Sequence, residues 1–413
     1  MNEFLFWKKY RNLNLKYFLM RINKNKTNCC GCTACESVCS HNAIRMTPDS
    51  LGFLYPKIDN DLCIDCGLCE QVCMFHEDYD KTQNLSAPMA YAIRHKDMHE
   101  VETSQSGAAF IAFSDWVLDQ GGAVYGVGYA EHFKVIHKRA ITKEERNEFK
   151  GSKYVQSDVN TTFRQVKKDL KNGLVVLFSG TPCQTAGLSS YVGEKLRKNL
   201  YLIDIVCHGV PAPFLWDDYL TYLEKKENMP LEDVNFRDKR FGWASHVESF
   251  RFKNSQFYKY MRTYAYTFYT HIMLRYCCGS CPYTNLQHPS DITIADFWGY
   301  QKTNAAFLAE DNKGCSLVLV NTEKGKEWLG KIKEFLIYIP IELRDCMQPN
   351  LQNPTTLHSR RANFEEDYAK HGFDYVMRKY GYIGWRYHTK CFIKRFIPYS
   401  IKYRLKRLIK LLN

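Results

Sequence analysis

Hydrophobic and polar positions along this chain fall into two regimes. From about residue 89, short apolar runs alternate with amphipathic stretches. AVYGVGY (123–129) reads as a strand kinked by glycine, and LVVLF (174–178) and YLIDIV (201–206) as buried strands. DITIAD (291–296) and SLVLVN (316–321) read likewise. Apolar runs of this length fit strands covered on both faces of a parallel or mixed sheet. Helical segments are predicted over 105–119, 160–171 and 213–226. That alternation predicts an α/β architecture. Upstream, between residues 29 and 80, cysteine spacing replaces hydrophobic period as the organising pattern.

The pattern Cys-x2-Cys-x2-Cys-x3-Cys occurs at Cys29, Cys32, Cys35 and Cys39, and again at Cys63, Cys66, Cys69 and Cys73. This is the spacing of bacterial two-cluster ferredoxins, in which three close thiolates hold one 4Fe–4S cube and the fourth reaches the other. One cluster is therefore expected on Cys29, Cys32, Cys35 and Cys73, and a second on Cys63, Cys66, Cys69 and Cys39. Cys30 is left over and reads as structural. A pair of zinc knuckles is the rival reading, and two complete copies of the run count against it. The proline that usually follows the fourth cysteine is replaced by Ser40 and Met74.

The chain has 413 residues, 45% of them apolar, and 17 cysteines. That is room for two or three domains with real cores. An odd number of thiols at short spacings suits metal binding rather than disulfides, and a reducing cytoplasm is the expected location. No secretory signal and no membrane-length apolar run is apparent. The net charge of +13 is confined to the ends: residues 1–28 carry +6, residues 392–413 carry +7, and the body between them sums to zero. No basic field tracks a phosphate backbone, so nucleic acid is not an expected partner. In YSIKYRLKRLIKLLN (399–413), Ile401, Leu405, Leu408, Ile409 and Leu412 fall on one helical face with cations on the rest. A basic amphipathic helix of this kind suits peripheral contact with anionic lipid, or equally a cover for the protein's own core.

A second set of cysteines lies in SGTPCQ (Cys183), IVCHG (Cys207) and CCGSC (Cys278 and Cys281). The first two follow predicted strands, where ligands gather in α/β sheets. They are candidates for a third cluster, with buried apolar thiols as the alternative. Spacing alone leaves open whether Cys277 replaces Cys278.

Further motifs follow in order: SQSGAAF (104–110), GSKYVQS (151–157), FSGTPCQTAGL (178–188), DIVCHGVPAP (204–213), FRDKRFGW (236–243) and SCPYTNLQHPSDITIADFWG (280–299). With the ferredoxin run they resemble the coenzyme F-420 hydrogenase/dehydrogenase beta-subunit family, from Cys29 to about Gly325. The resemblance implies an iron–sulfur flavoprotein carrying FAD, with third-cluster ligands Cys183, Cys207, Cys278 and Cys281. It implies electron exchange between a ferredoxin-type or other low-potential donor and a small-molecule hydride acceptor, of deazaflavin type or other. The expected fold class is α+β / α/β: a small two-cluster ferredoxin-like domain followed by a mixed α/β flavin-binding domain. The expected boundaries are 1–28 (basic leader), 29–80 (ferredoxin domain), 89–345 (FAD and iron–sulfur domain, with sub-parts 89–150 and 151–345) and 346–413 (C-terminal extension).

A dinucleotide needs glycine-flanked N–H groups at helix starts. Ser104, Ser106 and Gly107 form one candidate cradle, and Gly151, Ser152, Lys153, Tyr154, Gln156 and Ser157 a second. Thr181 and Gln184 offer further hydrogen bonds. Each of these residues read singly suits a turn or cap equally well. The family's Gly-Gly after SxS is Gly107-Ala108 here, which bears on how tightly that turn closes. No GxGxxG is present, so an ordinary Rossmann nucleotide site is not expected. His208 and Asp296 are the catalytic candidates, with His246 and His288 weaker. The rival function is a non-catalytic electron-relay subunit docked on a separate dehydrogenase or hydrogenase.

Overall fold

The computed structural model describes residues 25–76 and 84–384. Residues 1–24 of the basic leader and the helix expected over 399–413, with its expected lipid contact, lie outside the described residues. No helix among the described residues is long and apolar enough to cross a membrane.

The cysteine-rich unit is built on an antiparallel hairpin of β1 (Ile44–Pro48) and β2 (Leu54–Ile58). Each cysteine run opens a short helix, Ala34–Val38 or Leu68–Gln71. The sequence repeat is also a backbone repeat. Thr33 (φ 67°) and Gly67 (φ 74°) cap the two helices in the left-handed region, and Gly31 (φ 70°) and Asp65 (φ 52°) hold it two residues earlier. Consecutive departures of this kind curl the chain so that successive thiols face one point.

The larger unit has strands β3 (Met89–His95), β4 (Ala123–Tyr129), β5 (Val135–Ala140), β6 (Val176–Ser179), β7 (Leu200–Ile205), β8 (Leu231–Asn235), β9 (Glu248–Phe252), β10 (Tyr258–Met261), β11 (Ile292–Asp296), β12 (Ser316–Val320) and β13 (Leu336–Ile341). Eight form one mixed sheet in the order β13-β3-β12-β11-β7-β6-β4-β5. Its centre, β11-β7-β6-β4, is parallel. The apolar runs read from sequence as buried strands are that centre and its neighbour β12. Strands from both sides of residue 150 share the sheet. The strands β8–β10 form a separate antiparallel sheet. The predicted helices stand at Ala109–Leu118, Thr162–Lys171 and Pro213–Glu227.

The two units share a core. Leu51 and Phe53 of the β1–β2 turn are fully buried among Trp216, Tyr219, Phe236 and Phe364. Gly52 is needed there, because a Cβ would lie 2.7 Å from the Phe214 ring and its φ is +87°. Helix Arg361–Lys379 closes the same core with Phe364, Tyr368, Val376 and Met377. Part of the region expected as a C-terminal extension is therefore a packed amphipathic element.

Candidate functional site

The thiols gather at the seam between the two units. Burial, together with the nearby thiols of Cys32, Cys29 and Cys73, pushes Cys35 well above its ordinary thiol range. Those four are one of the expected ligand sets. Cys39 and Cys69 pack against Cys35 and Cys73. Cys63 is partly buried, and Cys66 is exposed.

The second set converges as well. Cys183 sits in the first turn of helix Pro182–Val192, directly after β6. The helix has a capping box, in which Thr181 and Gln184 satisfy each other's backbone N–H groups. Cys207 follows β7. An isolated antiparallel bridge, Pro211 to Leu274, aligns residues 207–212 with 273–278. Backbone bonds Ala212 N to Met273 O (3.0 Å) and Arg275 N to Val210 O (3.0 Å) continue that alignment. It delivers Cys278 to Cys207, although 71 residues separate them in sequence. Cys183, Cys207, Cys278 and Cys281 line one narrow cavity, together with Cys277 and with Cys30, Met74 and Phe75 of the ferredoxin unit.

Electrostatics separates Cys278 from Cys277. Gly209 N–H points at Cys207 Sγ (3.4 Å) and Val210 N–H at Cys278 Sγ (3.5 Å). Backbone donors of this kind favour thiolate over thiol. Cys207 is pushed well above its ordinary range by burial and by the thiols of Cys278, Cys183 and Cys281. Cys277 interacts chiefly with Cys278 and is itself pushed up by it. Cys183 is lowered to about 7, first by a hydrogen bond from Cys30 and then against burial by Thr181. An all-sulfur donor set crowded in a dry cavity suits a soft, multi-iron cation rather than an oxygen-loving ion. Among the described residues no group of three or more His, Cys, Asp or Glu is spaced for a single metal ion.

Two residues missed in sequence hold the seam. Arg275 is fully buried. Its guanidinium donates to Cys29 O (2.8 Å), Leu54 O (2.7 Å) and Gln156 Oε1 (2.9 Å) and lies over the Tyr55 ring. Gln156 in turn donates to Cys30 O (2.7 Å). Gly187 lets the helix carrying Cys183 lie directly on the ferredoxin unit, since a Cβ there would be 2.6 Å from Cys32 Sγ. Arg275 lies outside the quoted motifs, and Gly187 stands within FSGTPCQTAGL with no role that the sequence assigns to it. Cys30 also gains a place: its thiol touches Met74 Sδ (3.5 Å) and hydrogen-bonds with Cys183 and Cys32.

The flavin candidates divide into engaged and open groups. Gln156 is committed to the seam, and Gln184 donates to Ser157 Oγ (3.0 Å) while capping Thr181. Lys153 is folded back on the carbonyls of Glu148 and Lys150 (3.1 Å each), and burial lowers it to about 8. Tyr154 stacks on Phe268. Gly151 and Ser152 occupy the turn between them, with Gly151 at φ +80° and open space around it. The SQSG turn is different. Gly107 is required, because a Cβ would lie 2.3 Å from Ile93 O. Ala108, where the family has a second glycine, sits at φ 61°. Ser106 Oγ donates to Cys315 O (2.8 Å). Lys239 Nζ draws in the carbonyls of Ser104 (2.8 Å) and Ser106 (3.2 Å). Ser104 Oγ and Gln105 Nε2 are buried with no hydrogen-bond partner. Orphaned buried polar atoms are costly unless a ligand or water meets them. Lys150 ties this turn to the GSKY segment through Thr103 Oγ1 (2.9 Å) and Glu100 (2.7 Å).

The catalytic candidates are both engaged. Asp296 accepts from Arg237 and from Trp243 Nε1 (2.6 Å). It thereby locks FRDKRFGW onto ADFWG, a loop-holding role. His208 points at Asn350 (3.0 Å) and His271 (2.8 Å). His288 is fully buried on Asp204 (3.0 Å), and His246 rests on Tyr269 and Trp298.

Two family models match parts of the chain. Residues 28–76 match the 4Fe-4S dicluster domain. Residues 174–339 match the C-terminal region of the coenzyme F420 hydrogenase/dehydrogenase beta subunit. A chain of the xenon-derivatised F420-reducing NiFe hydrogenase complex from Methanosarcina barkeri superposes with a TM-score of 0.44 and 15% identity, over 71% of this chain and 91% of that one. No curated protein matches the chain at a significant level. The chain thus joins an N-terminal 4Fe–4S dicluster domain, residues 28–76, to a region, residues 174–339, similar to the C-terminal part of the coenzyme F420 hydrogenase/dehydrogenase beta subunit.

Proposed function

We propose that this chain is an iron–sulfur flavoprotein oxidoreductase with three 4Fe–4S sites, at the three ligand sets named above, and FAD beside the third. The observation that carries the reading is the cavity at the seam. Cysteines from three separated segments of the sheet unit meet there against Cys30, Met74 and Phe75 of the ferredoxin unit. Bound iron–sulfur clusters and flavin would supply one-electron relay and its conversion to hydride transfer. The chain's own groups position and insulate. Arg275 and Gln156 fix the ferredoxin unit on the sheet. Gly209 and Val210 N–H groups favour thiolates at Cys207 and Cys278. Lys239 holds the SQSG turn so that Ser104 Oγ and Gln105 Nε2 are presented unpaired, which fits a phosphate or ribose oxygen there. The small-molecule acceptor would lie where these loops meet the carboxyl ends of the parallel strands.

Anaerobically purified, reconstituted protein is expected to carry about twelve iron atoms per chain and to release roughly one FAD on denaturation. Cys30→Ser should keep all the iron, because its thiol lies outside each ligand set. Full iron with no flavin under any reconstitution would reduce the chain to an electron-relay subunit. A count near eight would remove the third site.

A further inference from the structure

The two cysteine runs share a backbone but not an environment, and the difference marks a docking surface. Matching the runs places Ile64 on Cys30 and Leu68 on Ala34. In the first run these positions form the seam: Cys30 is 3% exposed and Ala34 1%, covered by helix Pro182–Val192 and its neighbours. In the second run the same positions carry larger apolar side chains and face solvent, Ile64 at 60% and Leu68 at 40%. Leu62 beside them is 47% exposed and Cys66 is exposed. Exposed large apolar groups clustered on one loop have no stabilising role in the fold and mark a contact. The loop itself is acidic: Asp59, Asp61, Asp65 and Glu70 occur between residues 58 and 76 with no Lys or Arg, and the nearest cations are Lys57 and Arg45 at the hairpin end.

We infer that the loop from Asp59 to Leu68 is the docking face for a one-electron partner protein whose redox centre is surrounded by an apolar contact and a rim of Lys and Arg. Apolar anchors inside a charged rim are how transient partners gain both affinity and fast encounter. The inference rests on the proposed iron–sulfur function. Cys63, Cys66, Cys69 and Cys39 would hold the iron–sulfur group that exchanges one electron with the partner's redox centre, in either direction, with no bond or proton exchanged. The first run, sealed against the sheet, then faces inward toward the third site. A second copy of this chain is disfavoured as occupant, because the acidic rims would meet.

The test uses reconstituted full-length protein, reduced with dithionite, and two probes: a basic cytochrome c and an acidic two-cluster ferredoxin. Stopped-flow electron transfer to cytochrome c should be the faster, and should fall about tenfold or more as ionic strength rises. Asp59→Asn/Asp61→Asn should lower it at least about threefold at low salt and flatten the salt dependence. The Asp59 turn tolerates this, because its Oδ1 accepts the Asp61 N–H (3.0 Å) and an amide oxygen can do the same. Ile64→Ser/Leu68→Ser should raise the concentration for half-saturation about tenfold. Iron analysis accompanies every variant. Absent iron in the wild type overturns the underlying function. Full iron with unchanged rates in both variants overturns the docking face alone, as does an acidic ferredoxin reacting faster than cytochrome c. Self-association abolished by Ile64→Ser/Leu68→Ser would assign the face to a second copy and overturn the partner.

Discussion

Replacing Cys183 by Ser is expected to remove about four iron atoms per chain and to abolish turnover with a ferredoxin-type donor, leaving the signals of the ferredoxin unit intact. The fold should tolerate the change. Cys183 lies in the first turn of a helix already fixed by Pro182 and the Thr181–Gln184 capping box, and serine is accepted in such a turn. The ferredoxin unit touches its thiol directly, through Cys30. Its loss would leave Cys207, Cys278 and Cys281 one thiolate short of the proposed set. Hydride exchange between pre-reduced flavin and the small molecule should survive where FAD stays bound, because that step does not cross the seam. Iron analysis, electron paramagnetic resonance and the two assays read these outcomes separately. Full iron with full donor-dependent turnover would refute the third site. Cys32→Ser should do the opposite, disturbing the inner ferredoxin site and sparing the third.

Replacing Arg275 by Gln is expected to destabilise the protein by about 3 kcal/mol or more and to loosen the ferredoxin unit from the sheet. Three oxygen acceptors depend on this guanidinium, and two of them, Cys29 O and Leu54 O, belong to the ferredoxin unit, as does Cys29 Sγ (3.6 Å). Arg275 is fully buried, so bulk water does not reach the acceptors it leaves. The third acceptor, Gln156 Oε1, would be released together with that side chain's grip on Cys30 O. Arg275→Lys should recover only part of the loss, because an ammonium cannot reproduce a planar fork reaching three directions. Denaturant unfolding gives the magnitude, and limited proteolysis shows whether the ferredoxin unit is freed first. Equal stability and equal protease resistance in Arg275→Gln would mean that the seam is held without it, by apolar packing through Leu51, Phe53 and Phe214 and by Arg164, which donates to Glu36 O (2.7 Å).

Function is graded along the chain by how many roles each residue type can serve. A cysteine run at ferredoxin spacing has few physical uses, and the ligand sets it implied were readable at once. Serines, glutamines and lysines beside glycines have many. Gln156 and Gln184, expected as cofactor contacts, spend their amides inside the protein. Gln105, which stood unremarked within SQSG, has a buried unpaired amide nitrogen instead. Asp296 shows the same ambiguity: its motif marks a strand end, and its carboxylate is absorbed by Arg237 and Trp243.

By itself the sequence determined the duplicated cysteine unit, the neutral body between basic ends and the parallel centre of the sheet. Each of these is a local property: fixed thiol spacing, charge along the chain, or apolar runs long enough to be buried strands. Only the tertiary structure decided which copy of the duplicate faces the sheet and which faces solvent, because both carry the same spacing and nearly the same backbone. It also decided that Cys278 stands beside Cys207, through a bridge between residues 211 and 274 that no local pattern announces. The same holds for Arg275. A buried cation is defined by the acceptors that surround it, and those come from segments more than 100 residues away in sequence.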